Sequence, residues 1–376
     1  MRILILIHEF PPIGGGGGRV AQDLGRVLVG RGHEVTLLTA ALKGLPCQES
    51  VDGIRVMRVP SLRRQSFKAD LVAMAAYIVA GLWAGYRLIR RWRPDVIHVH
   101  FAVPAGALAW ALSRLTRVPY VLTTHLGDVP GGVPDKTNGW FRWLLPFTPP
   151  IWKAARYVTA VSESTRQLAL RHYPVDIRVI PNGVDLQSLK PEKIAIQDTP
   201  VIVFAGRFVP QKNPLQIVAT LAKLKNLNWC CAMIGDGPLR EDVKQAIGKY
   251  GLEERFMLVN GWVTPEEVIA QFAKSDILFM PSLSEGLPVV GVQALAMGLA
   301  IVAGRVGGFV DLVEQGKNGF LCAPDDQVAL EEALRTLLAD KSALLAARAE
   351  SRRLAERFDL LKIVDTYEAI FQEVSR

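Results

Sequence analysis

Cysteine is scarce in this sequence: Cys47, Cys230, Cys231 and Cys322 are the four in 376 residues. None falls in a CxxC or a paired metal spacing, and adjacent cysteines rarely bridge. That excludes a disulfide framework and implies free thiols in a reducing compartment. No G-x-x-x-x-G-K-[ST] occurs, which excludes a P-loop. No acidic cluster such as DxD accompanies the chain's strand-end histidines either, which leaves a metal site there without its usual carboxylates. The longest stretch free of charge, Leu71 to Tyr86, falls short of the ~20 residues a membrane-spanning helix needs and predicts a core or surface-docking helix. The opening MRILILIHEFPP has too short an apolar run for a signal peptide and reads as a buried strand.

What is present is length enough for two domains of about 180 residues each, with half of the residues hydrophobic. Charge divides unevenly between them. Residues 1–185 hold 23 Lys and Arg against 12 Asp and Glu, and the remainder 21 against 24, so the halves carry +11 and −3. A basic face confined to one domain fits either an anionic partner, such as a membrane surface or an acidic acceptor, or a solubilising surface. In the first half RILILI, HEVTLLT, GIRVMRVP, DVIHVH, VPYVLTTH, YVTAVSE and IRVIPNGVD are strand-like, and helical spacing separates several of them. After Asp185 the polar stretch LQSLKPEKIAIQDTP reads as a linker. The alternation then restarts with PVIVFAG, WCCAMIGDG, FMLVNGWV, ILFMPS and AIVAG, and the tail from Ser342 is helical in composition. The expected fold class is α/β: two doubly wound, Rossmann-like parallel sheets facing a central cleft, with ligands at loops after strands.

Five such loops carry candidate chemistry. PPIGGGGGRVAQDL follows the first strand and either lets backbone N–H groups and a helix N-terminus approach a phosphate or is a floppy surface turn. The dinucleotide fingerprint fails there, because Arg19 stands where its third glycine should be and the second strand ends at Leu38-Thr39 without an acid for a ribose. AGRFVPQKNP places Arg207 and Lys212 on one loop, two cations for a diphosphate or a merely solvated basic pair. IGDGPLRED sets Gly235 and Asp236 before a helix that Asp236 is expected to cap. SEGLPVVGVQALAMG sets Glu285 in a turn ahead of Pro288, with Gln293 on a face shared with Val289, Val290, Ala296 and Met297 that is expected to be buried. Glu285 and Gln293 lie at most about 12 Å apart along a helix, the reach from a sugar across a diphosphate to a ribose. TTHLGD ends a strand at His125, and His98 and His100 end DVIHVH; with Asp128 they fit no common metal template, and each also reads as an ordinary strand-end histidine.

Taken with GHEV at 32–35, AVS at 160–162, NGVD at 182–185, GRVGGFVDLV and NGFL, these motifs make nearly the whole chain resemble the retaining glycosyltransferases of GT-B architecture, of the type named glycosyl transferase family 4. The resemblance implies that Gly15 and Gly16 approach the donor diphosphate, that Arg207 and Lys212 neutralise it, and that Glu285 holds donor-sugar hydroxyls. It further implies phosphate binding at Gly286 and Leu287 in the turn before Pro288, contact of the Val263 backbone with the base, a donor-side place for Gly235, and His125 beside the reaction centre. No metal and no cofactor is implied, since the nucleotide sugar is a substrate. Two positions depart from the family pattern. Gln293 stands where a second glutamate binds the ribose, and Asp311 where GG-x-x is usually followed by glutamate.

The expected domains are residues 1–185 on the acceptor side, residues 200–355 binding the nucleotide sugar, and a helix over 356–376 returning to the first domain. The expected function is hexosyl transfer from a UDP- or GDP-sugar to an acceptor sugar or lipid in cell-envelope glycan synthesis; nothing points to nucleic acid. A nucleotide-sugar-binding protein weakened in turnover and a sugar phosphorylase or epimerase of the same architecture are the alternatives. Residues 67–93 and 139–153, apolar or aromatic beside Arg142 and Lys153, read as segments that dock at an anionic bilayer or pack in the core. The expected location is cytoplasmic, at the inner face of the cell membrane.

Overall fold

The computed structural model describes residues 1–65, 69–133, 141–196, 198–259 and 263–376. The chain divides into two compact units, Met1–Gly183 with Leu360–Arg376, and Val184–Asp359.

The first unit is built on β1 (Arg2–Leu6), β2 (Glu34–Leu42), β3 (Gln48–Val51), β4 (Ile54–Arg63), β5 (Val96–His100), β6 (Tyr120–Thr124), β7 (Tyr157–Ala160) and β8 (Arg178–Val179), in the order β3-β4-β2-β1-β5-β6-β7-β8. Residues of β1 alternate between two apolar layers, as a central parallel strand requires. Ile3 and Ile5 pack with α1 (Gly16–Gly30) and the C-terminal helix Leu360–Val374. Leu4 and Leu6 pack with α2 (Leu71–Trp92) and α3 (Ala107–Thr116). The sheet is not wholly parallel as expected: β3 runs antiparallel to β4. Asp52 and Gly53, both at positive φ, form the two-residue turn between them, and this Asp-Gly pair is the signal for the hairpin that the polar QESV conceals. β2 also runs past Thr39 to Leu42.

Helix α2 is longer than its uncharged stretch. It covers 22 residues, is capped by Asp70 Oδ1 accepting from Ala73 N at 2.8 Å, and is long and apolar enough by length and composition to cross a membrane. One flank is nonetheless packed on the unit: Cβ atoms at Gly81 and Gly85 would come within 2.6 and 2.8 Å of Leu108 and Leu112 on α3.

The second unit holds β9 (Val201–Ala205), β10 (Cys230–Ile234), β11 (Phe256–Val259), β12 (Ile277–Met280), β13 (Ala300–Gly304) and β14 (Gly319–Cys322), all pairs parallel, in the order β11-β10-β9-β12-β13-β14. The polar stretch after Asp185 is not a free linker. Arg348, buried against Asp276, donates to Gly298 O and Ala195 O, and Arg352 donates to Leu189 O at 3.1 Å and Leu186 O at 3.3 Å. These guanidinium groups satisfy carbonyls of a segment whose described residues form no strand or helix to satisfy them. The helical tail breaks at Asp359, with Lys341–Leu354 in the second unit and Leu360–Val374 in the first.

In each sheet the strand order reverses once, between β1 and β5 and between β9 and β12. Loops leaving the C-terminal ends of such a pair diverge to opposite faces and leave room for a ligand.

Candidate active site

At the β9/β12 reversal two loops are tied together. Gln211 Nε2 donates to Ser284 O at 2.8 Å, and Leu283 N donates to Gln211 O at 2.8 Å. Between them Lys212 Nζ meets Glu285 Oε1 at 2.5 Å, with the side chains 14 % and 6 % exposed. The two residues read separately from sequence as a cation for diphosphate and an acid for sugar hydroxyls are thus one nearly buried ion pair. Such a pair depends on good geometry and on further hydrogen bonds, and removing one partner strands the other charge. Lys212 keeps donors and Glu285 keeps acceptor capacity beyond this bond. Arg207, on the same loop, is exposed.

The turn Glu285–Leu287 rests on a neighbour that sequence reading left without a role of its own. A Cβ at Gly307, whose φ is +53°, would lie 1.6 Å from Glu285 O, and one at Gly308 would lie 2.3 Å from Gly286 O. Gly308 N also donates to Gly286 O at 2.5 Å. Only glycine admits this backbone approach. The Gly-Gly pair after β13 was the available signal.

Gly235 plays a similar supporting part, with its Cβ position 2.0 Å from Gly206 O. Phe208 N donates to Asp236 O at 2.9 Å and Leu239 N to Phe208 O at 3.0 Å, so the GDGP loop clamps the loop of Arg207. Asp236 does not cap the following helix as expected. The helix Arg240–Lys249 begins after Leu239, and Asp236 Oδ1 accepts from Gly237 N instead, because three residues intervene.

Pro288 is the N-cap residue of the helix Val289–Ala296. The face bearing Gln293 is buried in part: Ala296 and Met297 are buried as expected, while Val289, Val290 and Gln293 are half-buried. Gln293 makes no side-chain hydrogen bond within the described residues, and its partial exposure lets water serve it. Asp311 sits in the first turn of the short helix Phe309–Leu312. Val263 is half-buried and precedes Thr264, which caps Pro265–Phe272 in a capping box with Glu267; residues 260–262 lie outside the described residues.

In the first unit, Gly15 and Gly16 are exposed at the start of α1, which has no side-chain cap and no acid in its first turn. Phe101, after β5, reaches this loop: a Cβ at Gly17 would lie 2.6 Å from its ring. The same ring packs on His125 with centroids 4.6 Å apart. His125 Nε2 and His100 Nδ1 are 2.9 Å apart, so one donates and the other accepts. His98 Nε2 bonds Thr123 Oγ1 at 2.8 Å, and that hydroxyl also meets Thr159 Oγ1 at 2.8 Å and Tyr367 OH at 3.2 Å. Burial holds the pKa of His98 and His125 down at about 3 and that of His100 well below the usual range, so all three rings are neutral at pH 7.

Asp128 is not available as a ligand. Its Oδ2 accepts from Ala102 N at 2.6 Å, and its Oδ1 accepts from Thr124 Oγ1 at 2.9 Å and His125 N at 3.1 Å. The buried carboxylate therefore joins the loops after β5 and β6. Phe101 and Leu126 stand in those loops at φ of +72° and +88°, strained conformations for residues with side chains. Among the described residues no group of three or more His, Cys, Asp or Glu is arranged to hold a metal ion.

Residues 14–188 match the model for Glycosyltransferase Family 4 and residues 187–355 that for Glycosyl transferases group 1. The chain is 29% identical to 2-deoxystreptamine glucosyltransferase of Streptomyces kanamyceticus, covering 89% of this chain and 93% of that protein. Its fold is similar to sucrose-phosphate synthase of Thermosynechococcus elongatus, with a TM-score of 0.87, 20% identity and coverage of 100% and 99%. It is also similar to HepE of Anabaena in complex with UDP-glucose, with a TM-score of 0.78, 20% identity and coverage of 99% and 100%. The chain belongs to the group 1, family 4 glycosyltransferases of GT-B architecture.

Proposed function

We propose that this glycosyltransferase is a retaining, metal-independent enzyme that moves a hexosyl group from a nucleotide sugar, UDP- or GDP-linked, to an acceptor sugar or lipid. The Lys212–Glu285 pair at the β9/β12 reversal carries the reading. Glycosyl transfer breaks the bond between the anomeric carbon and the diphosphate oxygen, and negative charge grows on the departing diphosphate. Fixed cations and N–H donors stabilise that charge without reorganising. Lys212, held in place by Glu285, and Arg207 supply the cations, and the Gly286–Leu287 main chain lies beside them. The remaining acceptor capacity of Glu285 suits donor-sugar hydroxyls, the amide of Gln293 a ribose hydroxyl, and the Val263 backbone the base; Gly235 serves by clamping the loop of Arg207. In the first unit we assign Gly15 and Gly16 to an anionic oxygen and His125, kept neutral, to a sugar hydroxyl. A glucosyltransferase relative and a fold neighbour that holds UDP-glucose support a UDP-hexose. We place the acceptor in cell-envelope glycan synthesis. The four unpaired thiols support a cytoplasmic, reducing location.

The test is thermal stabilisation by UDP-, GDP- and ADP-sugars with EDTA present, followed by turnover of variants. One donor class is expected to raise Tm, and Lys212→Ala and Glu285→Ala each to lower turnover by about a hundredfold or more. Unchanged turnover in either variant would overturn the role assigned to that residue. Glutamine at 293, in place of the second glutamate of the family pattern, favours a second reading, a donor-binding protein that has lost turnover. That reading predicts donor binding without product, and product once Gln293→Glu is made.

A further inference from the structure

The outward side of α2 is apolar although it faces solvent. Val72, Val79 and Trp83 are 61 %, 72 % and 63 % exposed, and Leu71 and Tyr86 are exposed beside them. These positions fall on one stripe at helical spacing, opposite Tyr77, Gly81, Gly85 and Leu88, which face the core. A helix apolar on both sides is expected only where both sides are covered. Among the described residues, every exposed tryptophan and phenylalanine of the chain belongs to this layer: Trp83, Trp110 on α3, and Trp143 and Phe147, which are 80 % and 75 % exposed. Residues 143–147 lead into the helix Pro149–Lys153, and that helix packs on α3 as α3 packs on α2.

Charge in the same layer is predominantly positive, with Asp70 at the N-cap of α2 and Asp95 after its last turn the exposed acids among its described residues. Residues 71–162 carry ten Lys and Arg against three Asp and Glu. Of those acids, Asp128 is consumed by its own hydrogen bonds. Arg87 lies over the exposed Trp83 ring, 3.6 Å from its centroid, and Arg90 and Arg91 are exposed in the last turn of α2. Between Trp83, Val79 and β4 residues Met57 and Val59 an open groove of about 510 Å³ extends the apolar surface. Residues 67–68 and 139–140, and the side chains of Phe141 and Arg142, lie outside the described residues.

We propose that this layer docks the first unit on an anionic lipid bilayer, with the apolar stripe and the tryptophans in the interface and the arginines on headgroup phosphates. Exposed aromatic side chains next to arginine, with no carboxylate within the helix itself, suit the boundary between acyl chains and charged headgroups. A protein partner matching Arg87, Arg90 and Arg91 would need an acidic surface that also offered an apolar trough; an anionic bilayer offers both along any direction of approach. The packed flank of α2, closed onto α3 at Gly81 and Gly85, assigns the helix to the interface rather than across the membrane. None of these residues is assigned to the donor, so the test needs no donor.

The full chain is sedimented with vesicles of phosphatidylcholine alone and of phosphatidylcholine with phosphatidylglycerol, at low and high salt. Binding is expected at least about tenfold stronger on the anionic vesicles and weakened by salt. Val79→Ser with Trp83→Ser alters only exposed side chains and is expected to lower binding at least about tenfold, while Arg90→Gln with Arg91→Gln removes most of the salt dependence. An unchanged melting temperature in each variant confirms the fold. Absence of binding to either vesicle, or binding indifferent to both variants, would overturn the proposal. So would a dimer in solution that Val79→Ser with Trp83→Ser dissolves, which would give the stripe to a second copy of the chain. Loss of donor binding with vesicle binding intact would refute the donor reading alone.

Discussion

At the scale of single residues the candidate site depends on a few atoms whose neighbours set their roles. Gln293 is half-buried, and its amide is the group proposed above for a ribose hydroxyl. Exchanging that amide for a carboxylate adds a charge-assisted bond. Gln293→Glu is therefore expected to tighten donor binding about fivefold, corresponding to about 1 kcal/mol, as read by titration calorimetry. No change in affinity would detach Gln293 from the ribose. Two glycines make a sharper comparison. Gly307 and Gly316 both have positive φ, but a Cβ at Gly307 would strike Glu285 O at 1.6 Å whereas one at Gly316 meets nothing within 4 Å. Gly316→Ala is expected to cost about 1–2 kcal/mol from backbone strain, and Gly307→Ala about 3 kcal/mol or more together with loss of turnover. Urea unfolding of the two variants would show equal costs if the close approach to Glu285 were immaterial.

Among elements, the ends of β5 and β6 hold three histidines neutral in a stack that also includes Phe101, Tyr367 and Phe371. Their folded pKa values lie below the ordinary 6.5, at about 3 for His98 and His125. Between those limits the unfolded chain binds protons that the folded chain refuses. Stability of the first unit is thus expected to be fully present above about pH 6.5 and to fall as the pH drops toward 3. The slope approaches about 1.4 kcal/mol per pH unit for each histidine kept neutral, with half-buried His125 contributing less. Asp128 acts in the opposite sense, since burial raises its carboxyl pKa and the folded state gains as the pH falls. Urea titrations at pH 7, 6 and 5 measure the balance, and a midpoint that rises on acidification would contradict it.

For the whole molecule, chain order and unit membership part company at the C-terminal end. The helix Leu360–Val374 buries Leu360, Val364, Tyr367, Ile370 and Phe371 in the first unit, against the layer of Ile3, Ile5 and α1. At about 1.5–3 kcal/mol for each large apolar side chain, that burial is comparable with the entire net stability of about 5–15 kcal/mol of an ordinary domain. A chain ending at Asp359 is expected to lose the calorimetric transition of the first unit while the second still melts cooperatively and responds to donor. Two intact transitions in the truncated chain would show that the helix is dispensable.

What the sequence determined by itself is the patterned part of this protein: short continuous apolar strands, helices between them, and polar loops at the strand ends that carry Gly15, His125, Lys212 and Glu285. Those features follow from local sterics and from the need to bury one face of every element, so they are legible without coordinates. The glutamine at 293, where the resemblance leads one to expect glutamate, was legible too, because it is a matter of identity rather than of place. Only the tertiary structure joined Lys212 to Glu285, set Gly307 beneath Glu285, gave Asp128 to the backbone of Ala102 and His125, and turned the apolar stripe of α2 outward. Each of these joins residues distant in the chain or chooses between two faces of one helix. Contacts of that kind arise from sheet order and packing, and local pattern carries no record of them.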